Sequence, residues 1–261
     1  MNDAPNADGT VGKAMQVLDQ VASFRRAVRF SELLANSPFP KPTLYRLVQT
    51  LTNQGMLAFD PERQTYSMGI RLVRLAHSAW RHSSLAPVAR PYIEALAAKV
   101  GEAVHLAQFD NGHVLFVDRC KATDQFETLA QAGKIAPGYC TGVGKVILAF
   151  MPQIEQNRAL DQQAYKAYTP FTLTNRAALL TELAQIKADG VAYDREEHEQ
   201  GIISIACPIL TGQGRVVGAV SIASSTNRYT IDDLEKQRPN LLKSANLIGS
   251  EAELWQVPTW S

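Results

Sequence analysis

Cysteine is scarce in this chain of 261 residues: Cys120, Cys140 and Cys207 are the whole complement. An odd, widely spaced set with no CxxC pair excludes a disulfide framework and fits a reducing cytoplasm. Histidine is nearly as sparse. His77, His82, His105, His113 and His198 make no HxxxH pair and no close ligand cluster. A metal site would have to be assembled from distant residues. Long apolar runs are absent, and nothing approaches the roughly 18 residues of a membrane-spanning helix. The opening "MNDAPNADGT" has neither the basic segment nor the apolar core of a signal peptide, so residues 1–9 read as a disordered leader. Internal repeats, low-complexity stretches and cofactor fingerprints are also missing.

What is present suits a globular protein of one large or two ordinary domains. Apolar residues make up 46% and charged residues 20%. Net charge is only +1, but it is unevenly spread. Residues 1–83 hold ten Lys/Arg against six Asp/Glu, a balance of +4, and the remainder is −3. A basic first part facing an acidic remainder points to nucleic acid as a partner of the first part.

Three short helical patterns and a hairpin fill that first part. "VGKAMQVLDQVASF" places Val11, Ala14, Met15, Leu18, Val21 and Ala22 on one stripe. "RFSELLANS" follows, with Ser31 as N-cap and Leu33 and Leu34 buried. In "SPFPKPTLYRLVQTLTNQGML", Pro42 suits a first turn, Leu44, Leu47, Val48 and Leu51 recur at helical spacing, and Gly55 ends the helix. Lys41, Thr43, Tyr45, Arg46 and Gln49 occupy its other face. "LAFD-PERQ-TYSM" reads as two strands around a polar tip. This order predicts a winged helix-turn-helix over residues 10–69. Its third helix would enter the major groove, with Arg46 able to pair with guanine and Arg63 on the wing able to meet phosphate. Tyr45 reads equally as core. The alternative is a helical protein-interaction module without DNA. "GIRLVRLAHSAWRHSSLAP" then predicts an amphipathic linker helix over 70–84 that takes part in dimer contacts.

Residues 85–256 alternate hairpins with helices, the pattern of an α+β sheet domain. Helices are expected in "VARPYIEALAAKVG" and "FTLTNRAALLTELAQIKADG", each stopped by its glycine, the second capped near Thr174 or Asn175. A hairpin turns at Asn111-Gly112. "ETLAQAGKIAP", "VAYDREE", "IISIACPIL" and "GQGRVVGAVSIAS" read as extended. A last helix starts at Thr230 and kinks at Pro239.

"GYCTGVGKVILAF", Gly138 to Phe150, looks at first like a phosphate loop. That motif needs four residues before its Gly-Lys and a Ser or Thr after it. Here five residues separate Gly138 from Gly144, and Val146 follows Lys145. Nucleotide hydrolysis is therefore rejected. A turn opening a helix remains, and a helix N-terminus suits a carboxylate as well as a phosphate.

Taken together, these stretches resemble the IclR-type transcriptional regulators over nearly the whole chain. "PKPTLYRLVQTLTNQGMLAFD" with "TYSMGIRLVRLA" resembles the family's recognition helix, wing and linker. "GYCTGVGKVILAF" resembles its effector loop and helix. "GVAYDREEHEQGIISIACPI" with "GRVVGAVSIAS" resembles its signature toward the C-terminus. The resemblance implies a winged helix-turn-helix joined by a linker helix to an α+β domain of the GAF type. It also implies a homodimer or homotetramer that binds a pseudo-palindromic operator on double-stranded DNA. A small anionic effector would control the affinity, most often by relieving repression.

Carried over by position, Gly142 and Val143 supply backbone donors to that effector, and Asp194, Ser204 and Ser221 supply side chains. Where some members have Cys this chain has Ser204, and where some have a second serine it has Ala223. Asp194 would repel a carboxylate, so its expected role is to accept from an effector hydroxyl or to fix the pocket wall. The "YCTGVGK" loop is most like that of ketodeoxygluconate-type regulators, which leans toward a sugar or keto acid. No cofactor, metal, membrane or catalytic residue is implied. On residues alone the bland readings stand beside these: Ser204 and Ser221 as satisfied strand serines, Asp194 in "DREEHE" as solvated surface, Cys140 as buried and inert, and His198 as surface or interface. The rival class is a hydrolase using Cys140 or Ser221, but it lacks a G-x-S-x-G elbow.

Overall fold

Helix α1 (Gly9–Ser23) turns Val17, Leu18 and Val21 inward. Val11 and Met15, expected on that stripe, are exposed: the helix begins before the core it packs on. Strand β1 (Val28–Arg29) leads into α2 (Phe30–Ala35), which buries Leu33. Ser31 does not cap α2. The Glu32 carboxylate, held by Arg26 at 2.6 Å, accepts from the Arg29 N–H at 2.9 Å, so the helix opens at Phe30 and Ser31 falls inside its first turn. Helix α3 (Lys41–Asn53) has Pro42 in its first turn, where no N–H is needed, and buries Leu44, Leu47, Val48 and Leu51. Strands β2 (Leu57–Asp60) and β3 (Thr65–Met68) form an antiparallel hairpin, and β1 adds to β3. Leu57 and Tyr66 from the hairpin close the core. Three helices and a wing are thus present as expected. Helix α4 (Ile70–Ser83) follows, and its Arg71 donates to the Gln54 carbonyl at 3.0 Å.

The computed structural model describes residues 9–121 and 129–254, so the expected leader lies, but for Gly9, outside the described residues. The chain divides into two compact units between Arg81 and His82.

The second unit opens with α5 (Ala86–Val100), ended by Gly101. Strands β4 (Ala103–Asp110) and β5 (His113–Cys120) form the expected hairpin. Asn111 and Gly112 both have positive φ, 46° and 81°, as a tight two-residue turn requires. After β6 (Ile135–Pro137) come α6 (Gly142–Phe150) and α7 (Gln153–Asp161). Helix α8 (Arg176–Asp189) starts where Asn175 accepts from the Ala178 N–H at 2.9 Å. Strands β7 (Ala192–Arg195), β8 (Ile202–Leu210) and β9 (Val216–Ser225) complete an antiparallel sheet of order β6-β5-β4-β9-β8-β7. Two helices follow rather than one kinked helix: α9 (Ile231–Glu235), capped by Thr230, and α10 (Arg238–Glu251). Pro239 sits in the first turn of α10, where its ring breaks nothing.

The sheet has two unlike faces. Ile203, Ile205, Cys207, Ile209, Val220 and Ile222 join α5 and α10 in one apolar core. Ala192, Ala206 and Ala219 join α6 and α8 in another. Small side chains on that second face let α6 approach the strands closely.

Candidate functional site

The α6 N-terminus rests on the small-residue face. Thr141 is its cap, accepting from the Gly144 N–H at 3.2 Å and donating to the Pro137 carbonyl at 2.9 Å. The first intrahelical bond belongs to Lys145 N–H, which reaches the Thr141 carbonyl at 2.9 Å. Gly142 and Val143 precede it, so their N–H groups have no partner within the helix. Both residues line a small cavity that is partly open to solvent.

Strand register builds the opposite wall. Asp194 pairs with Ser204, and Ser204 with Ala223. Two residues along, Ala206 pairs with Ser221, and Ser221 with His105. A two-residue step returns to the same face of a sheet. Asp194, Ser204, Ser221 and His105 therefore meet on the face that α6 covers, and all four line the cavity. A Cβ on Gly142 would stand 2.9 Å from Ser204 Oγ and 3.4 Å from the Asp194 nitrogen. A side chain there would push the Ser204 hydroxyl out of its present position.

Burial sets the charge state of the wall. The Asp194 carboxyl is raised to about 7, chiefly by burial and then by the neighbouring charge of Glu197. Its Oδ1 accepts from the Glu197 N–H at 2.8 Å. The reading of Asp194 as solvated surface is thus overturned: the acidic run turns inward. His198, half-buried, lines the same cavity. His105 is 2% exposed, and its basicity is lowered to about 3 by burial and by the Arg119 charge.

Lys145 does not reach the cavity. It is fully buried, with Nζ 2.5 Å from Glu182 on α8 and 2.5 Å from Glu197. The lysine that suggested a phosphate loop is instead the centre of an ion triad, with Glu197 buried beside it and Glu182 partly exposed. Sequence reasoning missed this, although a lone Lys in an otherwise apolar helix was the available signal, since a buried cation must be paired. It also missed His105, which no local motif marks.

The hydrolase residues fare poorly. Cys140 is fully buried and its thiol is raised by burial, which keeps it protonated. Ser221 has a histidine across the ladder, but one too weakly basic to take its proton. Among the described residues, no group of three His, Cys, Asp or Glu could hold a metal ion. No helix among them is long and apolar enough to cross a membrane.

In the first unit, α3 presents Lys41, Tyr45 and Arg46 to solvent, with Thr43 and Gln49 half-buried. Tyr45 is 54% exposed and packs edge-on against Phe30, so it is not core. Gln49 lies beside the Tyr66 hydroxyl. Arg63 is exposed at the tip of the wing, where Asp60 accepts from its N–H at 3.1 Å.

Both units match known sequence families. The profile "Bacterial transcriptional regulator IclR C-terminal" covers residues 77–250, and "IclR helix-turn-helix domain" covers residues 10–61. The chain belongs to the IclR family of transcriptional regulators. Among IclR relatives, the HTH-type transcriptional regulator KdgR of Escherichia coli K12 is 28% identical over 258 residues, 99% of this chain and 98% of its own. The crystal structure of the Thermotoga maritima IclR aligns at TM-score 0.74 and 27% identity, covering 92% of this chain and 97% of that one. The inducer-binding domain of PobR from Acinetobacter, a double mutant solved with 3-hydroxybenzoic acid, aligns at TM-score 0.60 and 27% identity. It covers 63% of this chain and 97% of its own.

Proposed function

We propose that this IclR-family regulator is a repressor whose grip on its operator is loosened by a small anionic metabolite of the sugar-acid or keto-acid class. Residues 10–69 bind DNA, 70–84 link, and 85–256 bind the effector. The observation that carries the reading is the pair of Gly142 and Val143 N–H groups, unpaired within their helix and lining a cavity shared with Ser204 and Ser221. Such donors at a helix N-terminus favour a carboxylate. A PobR domain solved with 3-hydroxybenzoic acid supports an organic acid as ligand.

On the DNA side, Lys41, Thr43, Tyr45, Arg46 and Gln49 on α3 read bases or neighbouring phosphates, and Arg63 on the wing meets the backbone. Two copies in a homodimer, or four in a homotetramer, engage the half-sites of a pseudo-palindrome. The effector acts through its different affinity for two arrangements of the assembly, transmitted along α4. The exposed Ile70, Val73 and Leu75 on that helix suit a contact with a second copy.

The test uses the full chain and its own promoter fragment in a mobility-shift titration. Pyruvate, D-gluconate and D-galacturonate are added as probes. Arg46→Ala should weaken the DNA complex on the order of tenfold and lessen its salt dependence, with acid binding unchanged. Gly142→Ala should abolish the acid response and spare DNA binding. Loss of both functions in both variants would sink the division of labour.

A further inference from the structure

The cavity has more to satisfy than an anion. His105 lines it, is almost wholly buried, and has an Nε2 atom with no hydrogen-bond partner. A bond between the ring and the Ala130 backbone favours the protonated ring, so there a ring N–H donates to the carbonyl. Since Nε2 is the nitrogen without a partner, Nδ1 carries that bond. Burial and the nearby Arg119 charge keep the ring neutral. A neutral imidazole with its proton on Nδ1 offers only a lone pair at Nε2. This is a fixed acceptor, unlike Asp194, whose carboxyl titrates near neutrality.

An orphaned buried acceptor is a demand on the ligand. A carboxylate cannot meet it, having no proton to give. An ammonium could, but the Arg119 charge that disfavours a protonated His105 also disfavours a cation beside it. An uncharged O–H meets the demand without either penalty. We propose that His105 is a specificity-determining residue of the effector site, its Nε2 accepting from a hydroxyl of a hydroxy acid whose carboxylate lies at the α6 N-terminus. The inference rests on the anion-binding reading above. It predicts that the effector carries both groups, and that the same acid without the hydroxyl is a poor ligand. Sites built to bond a hydroxyl reject analogues lacking it because the buried partner is then left unpaired.

The test compares matched acids on the full-length protein by calorimetric titration: lactate with propionate, 3-hydroxybutyrate with butyrate, 3-hydroxybenzoate with benzoate, and D-gluconate with hexanoate. Alanine is included as the ammonium counterpart of lactate. In at least one pair the hydroxy acid should bind on the order of tenfold to a hundredfold more tightly. His105→Asn keeps a donor near the Nδ1 position and removes the acceptor at Nε2. It should erase that preference, so that the hydroxy acid and its plain partner bind equally to the variant. His105→Gln places an amide oxygen near the lost Nε2 and should restore part of the preference.

Should His105→Asn not fold, nitrogen-15 labelling of the five histidines in the unmodified chain gives a second readout. The Nε2 resonance of a neutral ring should move upfield with the hydroxy acid and stay still with its plain partner. Equal affinities within every pair, a preference that survives in His105→Asn, or tighter binding of alanine than of lactate overturns the proposal. Plain acids that bind as well as hydroxy acids would overturn it and leave the anion site intact. Binding of no acid at all would remove both together.

Discussion

Ile203, Ile205, Cys207 and Ile209 leave β8 toward the core shared with α5 and α10, while Ser204 and Ala206 leave the same strand toward α6. The first set is bulky and apolar and fills its side of the sheet. The second is small, and the buried polar groups His105, Asp194, Ser204 and Ser221 stand among it with a cavity between them and the helix. One strand thus serves two ends at once. Alternation places packing energy on one face and chemical discrimination on the other, so a change on either face has a distinct signature.

The largest effect tests whether the α6 side contributes stability of its own. Lys145→Ala leaves the Glu182 and Glu197 carboxylates without their shared cation, so a loss of about 3–5 kcal/mol in urea unfolding is expected. A loss below about 1 kcal/mol would show that the triad does not hold α6 in place. Next comes the apolar face. Ile205→Ala opens a void in a fully buried position and should cost about 2–5 kcal/mol, with the affinity for whichever probe acid binds the parent little altered in the protein that remains folded. An equal loss of acid affinity would erase the distinction between the faces.

A smaller effect is read against pH. The Asp194 carboxyl, ordinarily titrating at 3.8, is raised to about 7 in the fold. Between those values the folded chain keeps a proton that the unfolded chain releases. The contribution of Asp194 to stability is therefore full below about pH 4 and is lost as pH rises to about 7. The stability of the parent relative to Asp194→Asn should fall across that window and level off above it. A difference that stays constant with pH would mean that Asp194 is ionised throughout. The smallest structural effect belongs to Ser221→Ala, expected within about 1 kcal/mol of the parent in stability. The thermal shift given by whichever probe acid stabilises the parent should nonetheless vanish; an undiminished shift would remove Ser221 from the site.

Much of the fold was legible because its signals are local. Asn111-Gly112 fixes a hairpin turn, Gly101 and Gly190 stop helices, and Asn175 starts one. Helix α7 was missed since "QIEQNRALD" is mostly polar and buries only Gln156, Ala159 and Leu160. Ser31 misled because a capping side chain was assumed where Glu32 acts from the third position instead. The site was harder to read. Gly142, Val143, Asp194, Ser204 and Ser221 could be named through the family resemblance, and the structure brings all five to one cavity. His105 could not. It joins them through strand pairing with Ser221, a long-range register that no short motif records. The inward turn of Asp194 and Glu197 was hidden too, since an acidic run looks the same in sequence whether water or a lysine faces it.

The Lys145–Glu182–Glu197 triad also constrains the history of the family. A lysine fully buried between two carboxylates cannot be exchanged alone, because its loss strands the buried Glu197 charge, whereas loss of the partly exposed Glu182 leaves a neutral Lys145–Glu197 pair. Replacing all three by apolar residues of similar volume is nearly neutral by the same physics. Descendants of this sequence are therefore free to keep Lys145 and Glu197 together or to shed them together, while Glu182, partly exposed, is the position that can change alone.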